Sequence, residues 1–411
     1  MTLELAYLGR LGRHLMQQVD LAMYQNLVDT LSGMDYFTAA TVLSKQGYQG
    51  AHYNTLAAIP YWENMFPTAM QSGACQAGGI AGPYANATQC IYDQLWFGGS
   101  YDINDNPVWS PILLGNETSA LYVLDLYGYP DFSKNGPLAY YDDQYSSLEA
   151  WQSGGTSSYH AAQIILRKRN SHGLQFDFNY TFGKSIDLGS DAERLNAING
   201  QSSSFVFNSW SPRQMRAVSD WDTRHQINSN WVYELPFGKG KWIGSGSGSV
   251  ADGFIGGWQL SGLFRWTSGL PFSISNGYGQ WPTNWNFTGN ADQISPITTG
   301  VYKDNSGNPY VFSGDPTTFA SHFRFAYPGE SGGRNNLRGP GYFSVDMGLA
   351  KTFKLHENHK LRMSWEVFNV TNSVRFDVNS LSTSMVSGAF GKFSGTLTKP
   401  RVMQFAARYS F

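Results

Sequence analysis

The sequence predicts an all-β chain that crosses a membrane as an antiparallel transmembrane β-barrel segment of about eight strands with long extracellular loops. Three observations predict it. Aromatic residues make up 15% of the 411 residues while Asp, Glu, Lys and Arg together make up only 14%, well below the ~25% charge of an ordinary soluble domain. Apolar side chains recur at period 2 opposite polar ones, the pattern of strands with two different faces. Short turns alternate with very long connections.

A chain this poor in charge and rich in rings faces something besides water. Mean hydropathy is −0.33, and the lack of any long uncharged apolar run excludes spanning helices, so a membrane crossing is made by strands. The net charge of −2 and a longest basic run of Arg167-Lys168-Arg169 provide no field for phosphate backbones, so nucleic acid is no partner.

Taken in order, the first strand carries Leu3, Leu5 and Tyr7, and the second Ala162, Ile164 and Leu166. The third, within Gly173 to Asp187, sets Leu174, Phe176, Phe178, Tyr180 and Phe182 against Gln175, Asp177, Asn179 and Thr181. The fourth carries Ile227, Trp231, Tyr233 and Leu235, and the fifth Trp258, Leu260, Phe264 and Trp266. The sixth sets Phe343, Val345, Met347, Leu349, Phe353 and Leu355 against Ser344, Asp346 and Thr352, interrupted by Lys351. Leu361, Met363, Trp365 and Val367 form the seventh, opposite Arg362 and Glu366. The last runs through Met403, Phe405, Ala407, Tyr409 and Phe411 against Gln404 and Arg408. Each is near or above the ~9–11 residues that cross a bilayer at a tilt.

Asn170-Ser171-His172-Gly173 and His356 to His359 read as tight turns, and the Gly/Ser-rich Gly238 to Gly257 as a flexible longer one. Residues 10–158, 188–223 and 276–338 are far longer than the ~12–15 residues of a plain loop. Placing the short turns on one side puts these long loops on the other, the asymmetry of an outer-membrane barrel with extracellular loops. A soluble β-sandwich is the competing fold, but its strands run to ~5–6 residues.

The blocks SYHAAQIILRKRNSHGLQFDFNYTFGKSID, SDWDTRHQINSNWVYELPFGKGK, GGWQLSGLFRWTSGLPFSI, GRNNLRGPGYFSVDMGLAKTFKL and the terminal FAARYSF resemble the C-terminal barrel region of Oar-like TonB-dependent outer-membrane receptors. Those are large proteins with a carboxypeptidase-regulatory-like domain ahead of a plug. The resemblance covers Met1 and Gln144 to Phe411, and most of Ala74 to Tyr140 matches only as a variable loop. It implies that this all-β segment is part of a larger barrel of about 22 strands, located in the cell outer membrane. Its partners would be outer-membrane lipid, an unknown extracellular ligand (siderophore, glycan or peptide), and the barrel-assembly machinery reading Phe405, Tyr409 and Phe411. The plug and TonB system would engage only through an N-terminal part absent here. MTLELAYLGRLGRHL lacks the features of a secretory signal, so Met1 reads as a start inside a longer coding unit. The alternative is a small closed eight-stranded outer-membrane barrel acting as an adhesin.

No enzyme or cofactor is expected. Ser171 and His172 belong to a turn and Asp177 to a strand, without a nucleophile elbow. The G-x-S-x-G match at Gly244 to Gly248 sits in a Gly/Ser repeat. Asp102, Asn104, Asp105 and Asn106, and likewise Asp304, Asn305 and Asn308, lack the spacing of a calcium loop and read as Asx-rich turns; the histidines show no zinc spacing, so no metal is expected. Cys75 and Cys90 favour a disulfide over two free thiols. A charge facing lipid at mid-depth costs ~2–4 kcal/mol, so Asp177, Asn179, Arg265, Asp346, Arg362, Glu366, Gln404 and Arg408 are expected to face a lumen or plug. Lys351, in the lipid row, requires snorkelling at an interface. Tyr278, Trp281 and Trp285, with Trp62 and Trp96 in the first loop, are candidates to stack on a ligand.

Overall fold

The computed structural model describes residues 1–79, 81–96, 121, 124–125, 139–140, 144–145, 148–190, 206–276, 289–356 and 359–411. Eight strands build one wall: β1 (Thr2–Asp20), β2 (Glu149–Ser171), β3 (Leu174–Asp187), β4 (His225–Glu234), β5 (Trp258–Thr267), β6 (Tyr342–His356), β7 (His359–Phe368) and β8 (Val402–Ser410). Each pairs antiparallel with its neighbours in sequence. Since β1 and β8 lie at the two ends of this path, and no ladder joins them among the described residues, the wall is open. A closed eight-stranded barrel would need that ladder.

The register turns eight separate rows into one surface. Leu5, Ile164, Tyr180, Ile227, Trp266 and Phe343 stand opposite one another across β1 to β6. Leu174, Tyr233, Leu260, Leu349, Trp365 and Phe405 do the same across β3 to β8. Because a one-residue slip would invert a whole strand, these matched rows fix every register together. The opposite face carries Asn179, Asn228, Arg265 and Ser344 in one row and Ser261, Gly348, Glu366 and Gln404 in another.

At one end the strands are joined closely. His172 (φ 55°) and Gly173 (φ 78°) form a two-residue turn with both central residues left-handed, the geometry that matches the twist of a hairpin. His356 and His359 stand opposite each other at a second hairpin. At the other end lie four long connections, 21–148, 188–224, 268–341 and 369–401.

Two expected boundaries move. The first loop is not 10–158, because the β1–β2 ladder continues from Gly9 opposite His160 to Asp20 opposite Glu149. There the apolar alternation stops at Arg10, Arg13, His14 and the facing serines, since backbone pairing outside lipid needs no apolar face. The third is not a plain loop over 276–338: Pro271–Phe272 pairs with Leu337–Arg338, and Ala291–Gln293 with Phe323–Phe325. The fourth connection was not apparent in the sequence, its apolar residues Val378, Leu381, Phe390 and Phe393 following neither strand nor helix spacing.

These connections fold into compact bodies. Helices α1 (Tyr36–Tyr48), α2 (Pro60–Met65), α3 (Gly73–Ala77) and α4 (Ala87–Ile91) bury Tyr36, Tyr53, Tyr61, Trp62 and Tyr92 in one aromatic core. Asp35 caps α1 by accepting from Thr38 N at 2.7 Å. Glu63, on α2, accepts from Ala87 N and Thr88 N at 3.1 and 2.8 Å, so it closes the start of α4 from outside. A disulfide joins Cys75 to Cys90, with Cα atoms 5.6 Å apart. A second core unites two connections: Phe272, Phe312, Phe319 and Phe323 from 268–341 pack with Val378, Leu381, Phe390 and Phe393 from 369–401. No described helix is long and apolar enough to cross a membrane.

Candidate functional site

The long connections are fastened to the wall by a buried cluster of charges. Gly333-Arg334-Asn335-Asn336-Leu337-Arg338 leads into β6, and Ser219-Asp220-Trp221-Asp222 leads into β4. Arg334 places its fully buried guanidinium between Asp187 at 2.8 Å and Asp220 at 3.2 Å. It also donates to Met215 O at 3.1 Å and Ser190 Oγ at 2.7 Å. Asn335, left-handed at φ 49°, donates to Val218 O at 2.8 Å and Asp220 Oδ1 at 2.7 Å. Arg338 pairs with Asp222 and donates to Gly269 O at 3.1 Å. Only glycine fits there: a Cβ on Gly269 would lie 1.8 Å from Gly339 O. Buried charges persist when they are paired; here both terminal nitrogens of Arg334 find partners, and the cluster ties the ends of β3, β4, β5 and β6 into one rim. No local period points to this cluster, because its pairs lie more than a hundred residues apart.

Above the rim, the turn Tyr327-Pro328-Gly329-Glu330 is where three connections meet. Thr41 Oγ1, on α1, donates to Pro328 O at 3.2 Å, and Tyr48 meets Tyr327 edge-on at 5.8 Å. Asn208 Nδ2 and Gln214 Nε2, from the second connection, donate to Gly329 O at 2.8 and 3.0 Å. Arg324 lies 3.7 Å from the centre of the Tyr327 ring and serves both Asp292 at 2.9 Å and Glu330 at 3.0 Å. One cation faces two carboxylates. Burial pushes the Asp292 carboxyl up to about 6 against the pull of Arg324, and the neighbouring Glu330 adds to the rise. A folded-state value above the unfolded one contributes stability at low pH that is lost as pH rises through it. The cap should therefore resist proteolysis better at pH 5 than at pH 7.5, and Asp292→Asn should flatten that difference; an unchanged pH profile in the variant would assign the effect elsewhere.

Beside the second core lies a polar cleft of about 400 Å³. Its lining includes Ser380, Ser382, Thr383, Ser384 and Ser387, with Lys392 as the one charged residue among the described residues that line it. Ser275, also in the lining, directly precedes Asn276 and the aromatic segment that follows. Hydroxyls beside a single ammonium suit an oxygen-rich solute.

Of the expected ligand-stacking rings, Tyr278, Trp281 and Trp285 lie outside the described residues. Trp96 ends the π-turn Tyr92–Trp96, and its side chain lies outside them as well. Trp62 is a correction: it is fully buried, edge-on to Tyr36 and Tyr61 at 6.2 and 5.0 Å, so the aromatic core claims it and no ligand reaches it. Asp304 accepts from Ser306 N, Asn308 N and Asn308 Nδ2 at 2.8–2.9 Å, an Asx turn whose hydrogen bonds from Asn308 also lower its pKa. Asp102, Asn104, Asp105 and Asn106 lie outside the described residues.

The register puts Asp177, Asn179, Arg265, Asp346, Arg362, Glu366, Gln404 and Arg408 on the face opposite the apolar rows. Several pair there: Arg167 with Asp177 at 3.7 Å, Arg362 with Gln259 at 2.7 Å, and Gln404 with Glu366. Asp346 accepts from Asn369 N at 2.7 Å. Phe405 and Tyr409 stand on β8 facing Trp365 and Leu361, and Phe405 stacks on Trp365 at 6.0 Å.

The model of the family described as outer membrane beta barrel domain matches residues 97–404. No curated protein matches the chain. Among solved structures, the closed form of the ferric-catecholate import receptor Fiu from Escherichia coli K12 is similar at 11% identity, over 66% of this chain and 23% of that one, with a TM-score of 0.27. The outer membrane transporter YddB from Escherichia coli is similar at 10% identity, over 64% of this chain and 27% of that one, with a TM-score of 0.29. The chain thus spans about a quarter of the length of either.

Proposed function

Because this chain belongs to the outer membrane beta barrel domain family and lies in the outer membrane, we propose that it forms the C-terminal part of the wall of an Oar-like, TonB-dependent receptor that takes up a scarce extracellular ligand. One observation carries the reading: four long connections leave the same end of the wall and interlock into a cap, while two tight turns and the shorter 235–257 connection close the other. A simple structural wall has no use for so large a cap. In this reading residues 1–411 are barrel throughout, with the long connections outside the cell, and the polar face with Asp177, Arg265, Glu366 and Arg408 lines the lumen against a plug supplied by the rest of the receptor. Phe405, Tyr409 and Phe411 serve the assembly machinery, and no reaction or cofactor is assigned.

The cleft at Lys392 is the contact point for the ligand's oxygen atoms. Losing a hydrogen bond from a charged group costs roughly 1.5–3 kcal/mol, so Lys392→Ala should cut uptake at limiting concentration about tenfold or more. The test compares solute depletion by cells carrying the intact gene, the Lys392→Ala variant, or no TonB. A solute whose uptake falls in both altered strains supports the reading. Uptake indifferent to TonB sinks it.

A further inference from the structure

The connection from β4 to β5 was expected to be a flexible Gly/Ser linker, but residues 236–257 fold back onto the apolar face of the wall. There α5 (Ser249–Ile255) presents its last carbonyls to two residues of that face. Trp258 Nε1 donates to Phe254 O at 2.9 Å, and Lys351 Nζ donates to Phe254 O at 3.3 Å and to Gly256 O. Lys351 is the cation that interrupts the β6 row, and it was expected to snorkel. Instead it is 5% exposed, between the rings of Trp258 and Phe353 at 5.4 and 5.2 Å. The unpaired carbonyls that end a helix satisfy the ammonium in place of water.

The outer side of this element is apolar. Val250 and Phe254, one helical turn apart, are 78% and 75% exposed, and Trp242 is 86% exposed. Between α5 and the wall runs a groove of about 530 Å³ lined by Phe254, Trp258, Leu349, Phe353, Trp365 and Phe405. Leu349, Trp365 and Phe405 belong to the row that faces lipid, so whatever covers that row also covers α5. Lys239, exposed three residues before Trp242, adds the pairing of cation and indole that marks the headgroup level.

We propose that the 236–257 connection is an interfacial foot embedded in the phospholipid leaflet at the short-turn end of the wall. Val250, Phe254 and Trp242 lie among acyl chains, an acyl chain fills the groove, and Lys239 meets the phosphates. The burial of apolar area by an element lying in the interface plane drives it. The proposal rests on the membrane placement of the wall, not on the uptake reading, so either can fail alone.

With Cys75 and Cys90 joined, an added cysteine is the sole free thiol. The full chain is reconstituted in phosphatidylethanolamine–phosphatidylglycerol bilayers and spin-labelled in turn at V250C, F254C, G246C and F178C. Labels at V250C and F254C should collide several-fold more often with dissolved oxygen than with a water-soluble nickel chelate, matching F178C in the wall, while G246C shows the reverse. Nickel access at V250C and F254C equal to that at G246C overturns the proposal. Shielding of both labels from both reagents overturns it too, since it would mean a protein covers the foot.

Discussion

Replacing Arg334 with alanine should unfasten the rim at a cost of about 3–5 kcal/mol, the penalty for stranding buried carboxylates. The fully buried guanidinium holds Asp187 at 2.8 Å and Asp220 at 3.2 Å across the contact between 188–224 and 268–341. Arg334→Lys keeps the charge but not the fork that also reaches Met215 O and Ser190 Oγ, so it should recover only part of the loss. Cleavage of intact protein by a protease at these two connections measures the effect. Arg401→Ala, whose exposed guanidinium donates to Val370 O at 3.3 Å, should change nothing. If both variants behave like the parent, the cluster is not what secures the cap.

Arginine at Phe178 should lower the stability of the membrane-embedded wall by ~2–4 kcal/mol, while arginine at the adjacent Asn179 should be nearly neutral. The two residues are neighbours on β3 but lie on opposite faces: Phe178 stands between Leu166 and Ser229, Asn179 between Ile165 and Asn228. Urea unfolding of the two variants from bilayers separates them. A larger penalty at Asn179 would mean that the assignment of faces is inverted.

The wall was legible because lipid imposes a rule on each residue it touches. Phe176, Phe178, Tyr180 and Phe182 announce a strand without knowledge of any partner, as do Met403, Phe405 and Tyr409. Where lipid ends the rule ends, so the β1–β2 ladder beyond Gly9 was invisible although its backbone pairing continues to Asp20. The rim was illegible for a different reason. Arg334 meets Asp187 across 147 residues, and no local period encodes such a pair. Trp62 was misread because an indole in a loop has the same letter whether it waits for a ligand or packs under Tyr36 and Tyr61. The 369–401 connection gave no signal because its apolar residues complete a core whose other half lies in 268–341.

That divided core also carries a cost of loop closure. Its two halves are separated in sequence by β6 and β7, so 369–401 meets Phe312 and Phe323 only by closing a long loop. Strand pairing, by contrast, joins only consecutive strands, so the wall can grow one hairpin at a time. Pairing β6 with β7 brings both connections to one end and shortens that loop, so the ladder of the wall lowers the cost of sealing the outer surface.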